Sequence, residues 1–528
     1  MKKFLTICLT VLMALSCVIA SANTGDWATP YEETVDIHVA LKQSANQIFF
    51  DGEDAYDNLW WKYFREHYNV NVIVDWVAME TDPYSTKLNL AIASGDLPDA
   101  FCCYTVQLKQ MMEADLLEPL NEAYETTASE TLKRAMEFRW DVVEVGMDDG
   151  NMYCMPWMSY GTECSTGFIW ARKDWVEETG FTGFETIDDV ISLMDTFKQT
   201  EGAEYGLLLE KGLSAFTMSA PIFGAQPNIW IEGDDGTLVY GSTQPEMKDA
   251  LQWWADLYAN GYIRPDFGAM DQSQANEDIY NGRTGLTFFY QWGGWAFGQD
   301  MVRNQGDGTY LIPFDMPKTT EGELVQFPVQ FDVSQYNVVR KGYEHPEVMS
   351  KLMDAYSYIL NEATALGTMT TEEVLPFNTN EMHHVPTPFK MEFGSYDDAR
   401  DVCAALETGE ENFRSGYGII YYNEAKSWKD NGDLTGLGRY LQMGPGGSLT
   451  MACDQLDRGQ IHNDAVWGAK PQVMLDYGST LDDILLEGFT MIIMGNESVD
   501  YFDTGVESWR AAGGDEVAAA VNEMYGNK

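Results

Sequence analysis

Positive charge is what this chain most lacks. It holds 32 lysines and arginines against 83 aspartates and glutamates, a formal net charge of −51 at pH 7. Such a surface repels nucleic acid and anionic lipid headgroups, so neither is an expected partner, and the excess acid reads as a means of solubility. Long apolar runs are missing too. Beyond the N-terminus no stretch approaches the roughly 18 apolar residues that span a bilayer. Histidine is scarce, and the one cluster, His383-His384, has no carboxylate or cysteine at zinc-like spacing. The Asp-Gly turns at Asp149-Gly150, Asp235-Gly236 and Asp307-Gly308 lack the alternating acids and terminal Glu of a calcium loop. Neither a metal nor a cofactor is expected. There is no Gly-x-Ser-x-Gly elbow and no P-loop. A glycosidase needs only two facing carboxylates, which so acidic a chain can supply. A polysaccharide-active enzyme (glycosidase or lyase) therefore stands as an alternative reading.

What is present begins with a secretory signal over residues 1–22. Lys2 and Lys3 form a basic start, Phe4 to Ala20 is apolar, and Ala20-Ser21-Ala22 is a small-x-small cleavage site. A lipoprotein route through Cys17 is the rival, but Ala14-Leu15-Ser16-Cys17 lacks the usual leucine three places before the cysteine. Cleavage near Ala22 and release to the extracellular face is the expectation. Six cysteines follow, Cys102, Cys103, Cys154, Cys164, Cys403 and Cys453, none at C-x-x-C spacing. They read as buried free thiols. At 528 residues the chain exceeds one ordinary domain, and 45% hydrophobic content is that of a globular protein.

Val35 to Leu41 alternates as a strand. Asn58 to Tyr68 carries Trp60, Phe64 and Tyr68 at helical spacing, and Val70, Val72, Val74 and Trp76 alternate again. Asp82-Pro83 opens a helix with Tyr84, Leu88, Ala91 and Ile92 on one face. Gly95 and Pro98 end it before the apolar run Ala100 to Tyr104. This β-α-β-α-β order implies a parallel, helix-covered sheet, whose ligand sites lie beyond the carboxyl ends of the strands. A second helix, His345 to Leu360, places Val348, Leu352, Tyr356 and Ile359 on one face.

Ile92 to Asp99 reads IASGDLPD, and this segment resembles a signature of the extracellular solute-binding proteins that feed ABC importers. Asp149 to Trp157 resembles that family's "DGK.Y..P" segment, which leads into the first crossing between lobes. Gly167 to Gly180 resembles the strand–helix that opens the second lobe, and Thr186-Ile-Asp-Asp its next helix start. Gln244 to Phe267 is similar to "PE.KEAL…LY..GLI.PDF", and Asn281 to Trp295 to the strand that carries a cleft tryptophan. Gly478 to Asp515 resembles the terminal helices of large, oligosaccharide-type members. Residues 365–450 match least.

The resemblance implies an α/β, two-lobed periplasmic-binding-protein-like (type II) fold with a hinge and a central ligand cleft. The N-terminal lobe is expected at 34–158 plus 333–435, the C-terminal lobe at 159–332 plus 436–528. It implies no enzymatic activity. A monomer is expected to capture an oligosaccharide and deliver it to the transmembrane subunits of an ABC permease. A surface glycan-binding adhesin is a further alternative, which neighbouring permease genes would discriminate.

Sugars present apolar C–H faces and a rim of hydroxyls, so their sites combine flat aromatic rings with amides and carboxylates. With 16 Trp and 28 Tyr the chain is rich in such rings. Trp292 and Trp295 lead the candidates, flanking Gly293-Gly294, which read as giving a ligand close approach. Tyr104, Trp157, Trp76, Trp230 and Trp467 follow, with Asp332 at the second crossing as a hydroxyl acceptor.

Overall fold

The computed structural model describes residues 26–43, 49–79, 82–138, 140–156, 166–330, 335–364, 366–378, 388–389, 395–468 and 470–526. The signal segment, Trp157, Cys164, Asp332 and His383-His384 lie outside them. The chain divides into two compact units: residues 1–159 with 333–393, and residues 160–332 with 394–528.

The last boundary differs from the sequence expectation, which carried the first unit on to residue 435. Helices Ser395–Thr408 and Gly416–Asn431 belong to the second unit. Arg400 pairs with Asp457 at 2.6 Å and Glu424 with Arg439 at 3.0 Å, tying both helices to the two that follow. These ion pairs bridge segments whose hydrophobic periodicity alone does not say which core they face.

Unit 1 is built on a five-stranded sheet in the order Val70–Met79, Val35–Gln43, Ala100–Cys103, Tyr336–Val339, Met155–Pro156. The first three run parallel, as the β-α-β-α-β pattern requires; Tyr336–Val339 is antiparallel to both its neighbours. A bulge between Val39 and Ala40 shifts the register, so Ala40 pairs with Trp76. The helix Leu59–Tyr68 starts at Asn58, whose side-chain oxygen accepts the Trp60 and Trp61 N–H groups, and ends at left-handed Asn69. Trp60, Phe64 and Tyr68 are buried as the spacing predicts. In the helix Asp82–Ser94, Tyr84 and Leu88 are buried, and the Tyr84 hydroxyl donates to the Cys102 carbonyl at 2.9 Å. Gly95, at φ +74°, turns the chain out of that helix.

The second predicted helix differs in kind. It spans Val348–Ser357 and runs on into a wider turn to Glu362, and every residue from 348 to 357 is buried. Its polar residues are ties. Lys351 Nζ donates to the carbonyls of Asp26, Trp27 and Thr29 at 2.8, 3.0 and 2.5 Å. Asp354 accepts the Ser129 N–H at 2.8 Å and the Ser129 hydroxyl.

Unit 2 centres on a three-stranded antiparallel sheet, Leu286–Tyr290, Gly167–Arg172, Leu311–Phe314, whose middle strand is wholly buried. A hairpin pairs Trp230–Glu232 with Leu238–Tyr240 around the Asp235-Gly236 turn, and Phe327–Val329 pairs in parallel with Ile461–Asn463. The core gathers Trp254, Phe267, Phe288 and the buried stripe Leu481, Leu485, Phe489, Ile492 of the long helix Gln472–Ile493. Among the described residues no helix is long and apolar enough to cross a membrane. Cys102, Cys103, Cys154 and Cys453 are buried and Cys403 is half-buried, none of the five in a disulfide.

Two buried carboxylates make stability depend on pH. Burial pushes Asp354 and Asp398 up to about 7, against hydrogen bonds from Ser129 and Ser415 that pull the other way. A raised carboxyl binds its proton more tightly in the folded chain, so the stability it contributes is full below its unfolded pKa and is lost as pH climbs through about 7. Asp398→Asn is therefore expected to flatten the dependence of Tm on pH between about 4 and 8 relative to wild type. Thermal unfolding across that range checks it; parallel curves for the two proteins contradict it.

Candidate functional site

The strand Leu286–Tyr290 delivers Trp292 and Trp295 to the first turn of the helix Gly293–Gln305. Both indoles stay open to solvent, at 37% and 39% exposure, which sets them apart from the sealed Trp170, Trp230 and Trp254. Trp292 stacks on Tyr290, ring centroids 4.4 Å apart and planes 12° from parallel. The Tyr290 carbonyl accepts the Trp170 indole N–H at 3.0 Å, fixing the strand end that carries the stack.

Trp295 is held from the side. The Arg439 guanidinium lies 5.1 Å from its ring and 3.7 Å from that of Tyr421. Arg439 pairs with Glu424 at 3.0 Å and donates to Gln442 Oε1 at 2.7 Å. The same Gln442 oxygen faces Trp295 Nε1 at 3.4 Å, and the Gln442 amide donates to Gln291 Oε1. The Ser448 hydroxyl closes the network on the Gln291 carbonyl at 2.5 Å. Gln291 and Gln442 are 6% and 7% exposed, so these amides act from inside the protein and fix how the exposed ring sits.

The glycines between the two indoles do not serve ligand approach, as the sequence reading expected. A Cβ on Gly293 would stand 2.3 Å from the Trp170 ring, and one on Gly294 would stand 2.8 Å from Leu441 Cβ. They let the helix start press against its own unit. Gly438 does the same from the other side, with a Cβ position 2.5 Å from the Trp295 ring.

The remaining candidates are dispersed. In unit 1, Trp76 is half-buried, 5.3 Å from the Tyr84 ring and 5.0 Å from Lys87 Nζ, so protein groups already attend that ring. Tyr104 stands just before the helix Thr105–Glu113, where its N–H donates to Gln107 Oε1 at 3.1 Å. At the end of the strand Val35–Gln43, Lys42 is 9% exposed and donates to Gln335 Oε1 at 2.7 Å. In unit 2, Trp230 is 1% exposed and packs 5.4 Å from Tyr240; Trp467 is half-buried. Trp157 and Asp332 lie outside the described residues. Gln291, Gln442 and Arg439 escaped the sequence reading. An aromatic search does not score amides, and Arg439 falls in the stretch of weakest resemblance.

Among the described residues no group of three or more His, Cys, Asp or Glu is placed to hold a metal ion.

An exposed aromatic pair thus stands at a helix start braced by buried amides. Residues 51–357 match the bacterial extracellular solute-binding protein family, and the chain belongs to that family. It is similar along almost its whole length to the lipoprotein LipO of Bacillus subtilis (strain 168), at 20% identity over 99% of this chain and 98% of the relative. The fold is shared with an extracellular solute-binding protein of Bifidobacterium longum subsp. infantis: TM-score 0.60, 14% identity, 94% of this chain and 99% of that one. It is shared also with the Streptococcus pneumoniae ABC-transporter substrate-binding protein FusA in complex with kestose: TM-score 0.58, 15% identity, 93% and 98%. These neighbours establish the two-lobed fold class expected from the sequence.

The packing of Gly293 yields a direct test. Gly293→Ala forces a methyl group into the Trp170 ring and is expected to cost about 1–3 kcal/mol, as overpacking does, read as a lowered Tm. An unchanged Tm contradicts the close contact.

Proposed function

We propose that this protein captures an oligosaccharide outside the cell, as the substrate-binding component of an ABC importer, with Trp292 and Trp295 as its sugar-stacking platform. The observation that carries this reading is the solvent-open pair of indoles held by the Gln291–Gln442–Arg439 network. A pyranose or furanose ring lays its C–H face on such a ring, and the gain over water comes from apolar burial with no chemistry needed. A binding role also accords with a family relative, the fructooligosaccharide ABC transporter substrate-binding protein FusA, 24% identical over 36% of this chain. The ligand leaves as it arrived, handed to a permease. The protein acts as a monomer at the extracellular face, its signal removed near Ala22 or, by the rival route, lipid-anchored at Cys17.

Thermal shift and calorimetry against neutral and acidic oligosaccharides test the reading. A ligand at 100 times its dissociation constant adds about 2.7 kcal/mol to stability, a shift easily read. Binding of one sugar class, with the sugar recovered intact, supports the proposal; a cleaved product or binding of peptides alone overturns it.

Trp295→Ala is expected to weaken sugar binding at least about tenfold, ~1.4 kcal/mol, with the chain still folding to a cooperative thermal transition. Unaltered affinity removes Trp295 from the site. Arg439→Gln keeps the stem but drops the cation, and is expected to weaken binding by a smaller factor and to shift Trp fluorescence. An unchanged spectrum and affinity would show that Arg439 does not position the ring.

A further inference from the structure

Unit 2 contains a cavity of about 420 Å³ that none of the platform residues lines. One wall is the hairpin end, Trp230 and Tyr240; a second is the start of the long helix, Met474 to Leu481; Trp509 and Val517 close a third. The aromatic walls are pre-assembled. Tyr240 and Trp509 stack with centroids 5.7 Å apart and planes 8° from parallel, and Trp230 lies 5.4 Å from Tyr240.

Carboxylates complete the lining. Asp464 is 5% exposed. Its Oδ1 accepts the N–H groups of Trp230 and Val466, each at 2.9 Å, while its second oxygen takes no hydrogen bond from any described residue. Asp482, on the exposed side of the helix, meets the Tyr240 hydroxyl, and Asp483 also lines the space. One cation, Lys470, stands against these three acids.

We infer that this cavity binds a small organic cation, an amine of a few carbons, whose ammonium faces Asp464 and whose alkyl groups face the stacked Tyr240 and Trp509 rings. An anion is excluded by the sign of the lining. A neutral polyol leaves the buried carboxylate's charge uncompensated, whereas an ammonium gives it charge-assisted donors and finds aromatic faces beside it. The chain's strong negative charge raises the local concentration of such a guest.

Proton linkage follows. Burial pushes Asp464 up to about 6 and raises Asp482 as well. Lys470 opposes both shifts; Tyr240, Tyr525 and Asp483 are the other titratable groups around these two. A cation binds the ionised pair, so affinity rises as pH passes through about 6.

The test is isothermal titration of the full chain with tetramethylammonium chloride and with ethanolamine hydrochloride, sodium chloride serving as the ionic control. Saturable heat from either amine, stronger at pH 8 than at pH 5, is expected. Asp464→Asn keeps the oxygen that holds the hairpin and removes the charge, and should weaken binding at least about tenfold. Gly478→Phe guards against a folding artefact. Gly478 lines the cavity and a Cβ there meets nothing within 4 Å, so the helix accepts a side chain at this position. This variant should abolish the heat while the unliganded Tm stays at or above wild type. No saturable heat, heat matched by sodium chloride, or wild-type affinity in both variants overturns the proposal. Binding of neutral monosaccharides in place of amines at this cavity overturns it too.

Discussion

The first unit hangs on one carboxylate. Asp99 closes the IASGDLPD segment, is 6% exposed, and receives the His38 N–H at 2.9 Å and the Arg340 guanidinium at 2.5 Å. Its own carbonyl accepts the Arg340 N–H at 2.8 Å. One residue thus joins the strand before it, the strand it starts, and a strand that arrives some 240 residues later in the chain. A carboxylate so enclosed is tolerable only with donors in place. The turn Gly95 to Pro98 that aims it is as much a part of the clamp as the charge. What reads as a family signature is, physically, the point at which a returning chain is locked to the sheet.

The parts of this fold that were legible in sequence are the local ones. Strand alternation, the Trp60-Phe64-Tyr68 stripe and the Gly95 stop each involve neighbours along the chain, and the structure has them where the pattern puts them. The antiparallel entry of Tyr336–Val339 was not legible, because nothing in four residues records the direction of a partner so distant. The helix Val348–Ser357 misled for a related reason. Periodicity treats lysine, serine and aspartate as solvent-facing, whereas Lys351 caps three carbonyls and Asp354 holds Ser129. Buried polar ties look like a polar face until their partners are seen.

The candidate site divides along the same line. Tryptophan is conspicuous in a sequence, yet the type alone does not distinguish Trp230, sealed against Tyr240, from Trp295, open at its helix start. What separates them is the backing. Trp230 is covered by a hairpin partner, while Trp295 leans on Gly438, Arg439 and Gln442, residues from a single helix far along the chain. The glycines beside it were read for the wrong neighbour: their missing Cβ atoms admit Trp170 and Leu441.

Scarcity of positive charge gives the few internal cations unusual leverage. Arg340, Lys351, Lys42 and Arg439 each satisfy groups from distant segments, and in a chain of net charge −51 none of them is there to balance the surface. The two binding surfaces proposed for unit 2 differ accordingly. The indole platform is backed by a guanidinium already neutralised by Glu424, so its hold on a neutral sugar rests on dispersion and apolar burial, which salt barely alters. In the cavity around Asp464 three carboxylates outnumber Lys470 inside a strongly negative field, which raises the local concentration of cations and is screened over about 8 Å at physiological ionic strength. Salt therefore separates the two modes of recognition within one unit: a neutral guest held by rings is indifferent to it, and a cationic guest drawn by the field is not.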